Sequence, residues 1–184
     1  MTALYPRLAL TGIRKNRKLY FPYLGTCTGA VSMYYIIHSL SFSPSLHQMK
    51  GGGVMEAILG FGVMVIAAFS LLFLLYTNSF LIRRRNKEFG LYHVLGMGKS
   101  AIARILVWET LFVAVFSLAA GLGFGILLSK LAELLLLKFV HGALDYRITL
   151  SWNCISDALG MFGLIFLLLL LKSLWTVYRS DPLA

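Results

Sequence analysis

Apolar residues in this chain gather into four long runs, at residues 20–40, 56–82, 105–137 and 152–178, with polar or charged stretches between them. A helix needs about 20 mostly apolar residues to cross the ~30 Å hydrocarbon core of a bilayer. Each run reaches that length, so the pattern predicts an all-α, polytopic integral membrane protein with four transmembrane helices. The intervening stretches become an outer loop at 41–55, a charged connector at 83–104, a second outer loop at 138–151 and a short tail at 179–184. Ahead of the first run, residues 1–19 alternate Leu4, Leu8 and Ile13 with Arg7, Arg14, Lys15, Arg17 and Lys18. Such a segment either lies along the membrane surface as a short amphipathic helix or is a basic tail that only sets orientation.

Smaller marks refine the four runs. Tyr20, Phe21, Tyr23, Tyr34 and Tyr35 flank the first, and Trp152, Trp175 and Tyr178 flank the fourth, where amphipathic rings favour the membrane interface. Pro22 falls in a first turn, where a missing amide donor is tolerated. Gly51, Gly52 and Gly53 predict a flexible turn and not a phosphate loop, because no Gly-Lys-Ser/Thr follows them. Gly60 and Gly62 lie near the outer end of the second run, Asn78 and Ser79 near its inner end. The third run outruns the bilayer, which puts Lys130 and Glu133 near the outer headgroups. Inside it, Gly121 and Gly125 stand four apart with Ala119, Ala120 and Gly123 beside them, a spacing that lets another helix approach closely.

Composition agrees with a membrane protein. The chain is 59% hydrophobic and 13% charged, with a mean hydropathy of +0.80, whereas soluble domains are nearer half apolar and a quarter charged. The formal charge of +10 does not point to nucleic acid, because the basic residues cluster at the ends of apolar runs. With the N-terminus inside, the cytoplasmic side carries Arg7, Arg14, Lys15, Arg17, Lys18, Arg83, Arg84, Arg85, Lys87, Lys99, Arg104, Lys172 and Arg179. The outside carries only Lys50, Lys130, Lys138 and Arg147. The positive-inside rule therefore places both termini in the cytoplasm.

Candidate chemistry is sparse. His38, His47, His93 and His141 show no metal-ligand spacing, and Cys27 and Cys154 form no CxxC and fall at different depths, too far apart for a disulfide. There is no Walker A sequence and no nucleophile elbow. No enzyme activity, metal or cofactor is expected in this chain. Glu109 is the residue that asks for an explanation, since a carboxylate about one turn inside a span is costly unless paired or near the headgroups. It either forms a buried salt bridge with Arg104 or with Arg83, Arg84 or Arg85, tying the third helix to the connector, or it reaches back to the interface.

The connector is patterned as well as charged. After Arg83-Arg84-Arg85, the residues Phe89, Leu91, Tyr92, Val94 and Leu95 form a broad apolar face at helical spacing, with Lys87 and Glu88 to one side. Gly96-Met97-Gly98 breaks that helix, and Ser100 suits the N-cap of the third span. A short apolar helix beyond the headgroups needs cover from the membrane surface or from a partner protein.

The stretch Glu88-Phe89-Gly90-Leu91-Tyr92-His93-Val94-Leu95-Gly96-Met97, set between a second and a third span, resembles the connector of FtsX-type ABC transporter permeases. Glu109 early in the third span, followed by Gly121 and Gly125, is similar to that family's acid-then-glycine pattern. Leu8 to Tyr20, with Pro22 and Tyr23, resembles the start of the BceB-type subgroup, the bacitracin- and lantibiotic-resistance permeases. The resemblance covers nearly the whole chain. It implies a multi-pass permease of the bacterial plasma membrane that pairs with a separate cytoplasmic ATP-binding subunit, in two copies, which binds the ATP and magnesium. It also implies a coupling role for Lys87 to Leu91, Tyr92 and Val94 to Met97. Members of the subgroup detach antimicrobial peptides from lipid targets and often signal to a membrane histidine kinase. They have ten spans and a large extracellular domain after the seventh, so these four spans correspond to an N-terminal module, in a longer permease or a split half. The alternative is an FtsX-type membrane scaffold or signalling regulator that transmits conformational change without transport.

Overall fold

A computed structural model describes residues 4–43, 51–94, 98–140 and 152–179 of the chain. Five helices account for nearly all of them: α1 (Leu4–Lys15), α2 (Arg17–Ser41), α3 (Gly52–Val94), α4 (Lys99–Val140) and α5 (Trp152–Arg179). No strand occurs among the described residues.

Helix α1 buries Ala9, half-buries Leu8 and Ile13, and exposes Arg7, Arg14 and Lys15 together with Leu10 and Thr11. Asn16 separates it from α2. Its amide closes α1 on the Gly12 carbonyl at 3.0 Å, and its carbonyl accepts the first bonds of α2 from Leu19 and Tyr20 at 2.9 and 3.1 Å.

Three helices are long and apolar enough to cross a membrane, over Gly52–Arg85, Lys99–Leu136 and Trp152–Tyr178. They present exposed apolar side chains to their surroundings, among them Phe61, Met64, Phe69 and Leu72 on α3 and Val115, Phe116 and Leu127 on α4. Water does not tolerate such a surface, whereas lipid matches it. The remaining predicted span, the first along the chain and carried by α2, does not share this character. Thr26, Thr28, Ser32 and His38 dilute its apolar content, and many of its apolar residues are turned inward, although Phe21 and Met33 are exposed. Tyr20, Tyr23, Cys27, Val31, Tyr34 and Tyr35 recur every three or four residues and are all buried. That spacing puts one face of the helix against its neighbours.

The helices contribute to two compact units. One comprises Met1–Thr26, Leu72–Phe116 and Gly163–Ala184. Its centre holds Ile82 of α3, Ile102 and Leu106 of α4 and Val177 of α5 as an apolar cluster. The other comprises Cys27–Leu71 and Ser117–Phe162. In it α4 meets α2 at the two glycines. A Cβ at Gly121 would stand 2.6 Å from the Val31 Cβ and 3.0 Å from the Thr28 carbonyl oxygen, and one at Gly125 would stand 3.1 Å from the Tyr35 ring. Ser32 Oγ lies 2.9 Å from both the Thr28 and the Gly121 carbonyls, so its proton is shared across that contact. Tyr34 meets Phe162 edge-on, and His38 reaches Asp157 at 3.0 Å. Ser43 and Lys130 both contact the Glu133 carboxylate. Cys27 and Cys154 are both buried.

Several helix boundaries differ from those the hydropathy pattern suggests. Helix α3 does not end at Ile82 but continues through the three arginines to Val94, because Arg, Asn, Lys and Glu do not break a helix. Helix α4 begins at Lys99, and the Gly98 carbonyl accepts the first amides, from Ala101 and Ile102. Gly98 is thus the cap, and Ser100 lies inside the first turn. Of the three glycines before α3, only Gly51 takes a positive φ, at 88°. Gly52 and Gly53 are helical.

Candidate functional site: a buried ion-pair junction

Four elements meet in the first unit around one carboxylate. Glu109 sits on α4, Arg85 on α3 and Tyr20 on α2, and the three are 3%, 3% and 2% exposed. Arg85 Nη1 donates to Glu109 Oε2 and, at 2.5 Å, to the Tyr20 hydroxyl oxygen. The Tyr20 hydroxyl donates in turn to Glu109 Oε1. Both oxygens of the carboxylate are therefore engaged, by donors from two other helices. Helix α1 closes the arrangement with its backbone, since a Cβ at Gly12 would lie 3.4 Å from Arg85 Nη2 and 3.7 Å from Glu109 Oε1. A methyl group there would be in ordinary van der Waals contact with the ion pair.

The sequence places these groups by simple spacing. Arg85 is the only one of the three consecutive arginines on the buried face of α3. Arg83 and Arg84 are exposed, and the Arg84 guanidinium lies 5.0 Å from the Phe80 ring centroid. Arg104 is also exposed and is held by Tyr5 of α1, 3.5 Å from the hydroxyl and 5.5 Å from the ring centroid. Of the arginines near Glu109 in sequence, Arg85 is thus the buried partner. Gly121 and Gly125 lie in the other unit, against α2. In the connector, Lys87, Glu88, Phe89, Leu91, Tyr92 and Val94 are described as helix backbone alone, Gly90 is exposed, and Leu95, Gly96 and Met97 lie outside the described residues.

Tyr20, Gly12, Asn78 and Ser173 were not singled out by the sequence as parts of this site. Asn78 on α3 donates to Ser173 Oγ of α5 at 2.9 Å and lies 3.5 Å from the Leu169 carbonyl. Between this pair and the ion pair lies a cavity of about 20 Å³, lined by Tyr20, Tyr23, Asn78, Arg85, Glu109 and Ser173, room for about one water molecule with polar partners on several sides. The available signal was the general one that polar residues inside a span rarely lack a partner on another helix. Chemically, the junction can hold charge and link helices. Among the described residues no group of three or more His, Cys, Asp or Glu side chains could hold a metal.

Residues 60–182 match the protein family described as FtsX-like permease C-terminal. The chain belongs to the FtsX-like permease family. It is 30% identical over 178 residues to the bacitracin export permease protein BceB of Bacillus subtilis, and 32% identical over 179 residues to BceB of Halalkalibacterium halodurans. Those alignments take in 97% and 96% of this chain but 28% and 27% of the relatives. An uncharacterized ABC transporter permease of B. subtilis, YvcS, is 29% identical over 180 residues, covering 95% of this chain and 27% of that protein. The chain thus spans little more than a quarter of the length of these relatives. FtsX-like permeases are integral membrane proteins, and with three helices able to cross a bilayer this one is multi-pass. The family match begins in α3, so it includes Arg85 and Glu109. Gly12 and Tyr20, from α1 and α2, lie ahead of it.

Proposed function

We propose that this chain forms the permease module of a BceB-type ABC transporter in the bacterial plasma membrane. In this reading a separate ATP-binding subunit, in two copies, supplies ATP and magnesium and grips the connector around residues 86–97. The module crosses the membrane four times, with α2 as the first span packed among the others, and keeps both termini in the cytoplasm. The distribution of 13 basic residues on that side against four on the other (from the sequence) supports the orientation. The physiological role is resistance to antimicrobial peptides, in line with the export activity in the names of its BceB relatives. A second permease half and a membrane sensor kinase complete the assembly.

One observation carries this reading. Helix α3 runs without a break from its apolar window through Arg85 into the connector, and Arg85 at that junction is bonded to Glu109 and Tyr20. A push on the connector therefore reaches α3 directly and α2 and α4 through buried polar bonds. The test is co-purification of the tagged chain from native membranes. An ABC-type ATPase should accompany it, and Leu91→Glu or Leu95→Glu should release that ATPase while the membrane helices stay folded. Association that survives both substitutions would sink the coupling assignment.

A further inference from the structure

A second site lies in the same unit, away from the ion pair. An open groove of about 370 Å³ runs between the first turns of α4 and the last turn of α5. On α4 its wall is Ser100, Arg104 and Trp108, spaced four apart on one face, with Val107 beside them. On α5 it is Leu174 and Tyr178, also four apart. The groove changes character along its length. Ser100, Arg104 and Tyr178 make one end polar and cationic, and Val107, Trp108 and Leu174 make the other apolar. Eight residues of helix carry that change over about 12 Å.

Among the described residues no carboxylate offsets the charge at the polar end. Arg104 is exposed, and its contacts among the described residues are the Tyr5 hydroxyl and ring, which orient a guanidinium without cancelling it. No carboxylate among the described residues pairs with it, in contrast to Arg85. Lys99 adds a second cation at the same end, with Nζ 3.2 Å from the Tyr178 carbonyl. Val107 and Trp108 are 38% and 37% exposed at the other end.

We propose that this groove holds one anionic phospholipid, from the leaflet on the side of the membrane that carries Arg83 to Arg85. The phosphate would sit on Arg104, Lys99 and the Ser100 hydroxyl, with an acyl chain along Val107, Trp108 and Leu174. A small water-soluble anion would satisfy only the polar end, and an uncharged lipid only the apolar end. An anionic amphiphile matches both, and the bilayer supplies it at that depth. Basic pockets between helices at a membrane surface recognise anionic headgroups by the same electrostatics. The inference does not depend on transport or on an ATPase.

Trp108 reports on its own groove. The full chain carrying Trp152→Phe and Trp175→Phe, two exposed positions, is reconstituted in phosphatidylcholine vesicles. A fraction of the lipid is brominated on its chains, as phosphatidylglycerol or as phosphatidylcholine. Brominated phosphatidylglycerol should quench Trp108 more strongly, with about a fivefold relative preference, as one desolvated cation–phosphate contact provides. Arg104→Gln should abolish the preference and Arg104→Lys should keep most of it. Arg84→Gln, which removes an exposed guanidinium outside the groove, should leave it unchanged. Equal quenching by the two lipids would overturn the proposal, as would a preference that persists in Arg104→Gln. An equal loss in Arg84→Gln would reduce the effect to general surface charge, and full protection by inorganic phosphate would assign the site to a free anion.

Discussion

Glu109 is bonded by Arg85 and by Tyr20, and that arrangement decides what its loss would cost. Removing one member of a buried ion pair strands the other, at about 3–5 kcal/mol. Glu109→Gln and Arg85→Gln should therefore each lower the unfolding midpoint in detergent sharply. Replacing both partners with apolar residues of similar size, as Glu109→Leu with Arg85→Met, should recover much of the loss. If the double variant is no more stable than either single one, the pair is not the buried unit described here. Tyr20→Phe removes two charge-assisted bonds, one donated to Glu109 and one accepted from Arg85, and a loss of at least about 1.5–3 kcal/mol in the same assay is expected. At this scale the sequence was partly legible. An acid inside a span and three arginines near it announce a pairing, but only the turn of α3 selects Arg85. Tyr20 stayed hidden because a tyrosine at the end of a span has the same appearance whether it anchors to the interface or donates to a buried carboxylate.

Helix ends were less legible than the apolar runs, and for a physical reason. Hydropathy changes sign where lipid gives way to water, but a helix stops only where its backbone is made to stop. Arg83 to Glu88 end the apolar run without ending the helix, so α3 extends 12 residues past Ile82. Helix contacts were legible in kind and not in partner. Gly121 and Gly125 promised a close approach, and the structure supplies α2, with Val31, Thr28 and Tyr35 as the opposing surface. Gly121→Ala should thus destabilise by about 1–3 kcal/mol, as overpacking does. Gly123→Ala, which meets nothing within 4 Å, should be neutral or gain up to ~1 kcal/mol from helix propensity. Thermal unfolding of the two variants side by side checks this. Equal losses would mean that the α2–α4 contact is looser than its geometry.

For the whole molecule, the class was legible from apolar content alone, and three of the described helices are long and apolar enough to cross a membrane. Helix α2 falls short of that measure because Thr26, Thr28, Ser32 and His38 lower its hydropathy, although Ser32 and His38 have partners on other helices. Orientation can be tested with one thiol. In a chain carrying Cys27→Ser and Cys154→Ser, Arg84→Cys should react with a membrane-impermeant maleimide only after the cytoplasmic side is opened; labelling of intact cells would reverse the topology. The unbroken run of α3 from Arg85 to Val94 has a further consequence, which concerns angle more than distance. One residue inserted after Arg85 would lengthen the helix by only about 1.5 Å but rotate everything beyond it by about 100°. On the proposed coupling reading, the connector residues beyond the insertion would then turn away from the ATP-binding subunit, while the ion pair stayed intact. Four inserted residues would lengthen the helix by about 6 Å yet bring that face back to within about 40° of its bearing. If ATPase binding fails with one inserted residue and returns with four, the two ends of α3 are matched in phase, and the helix acts as a shaft whose setting matters more than its reach.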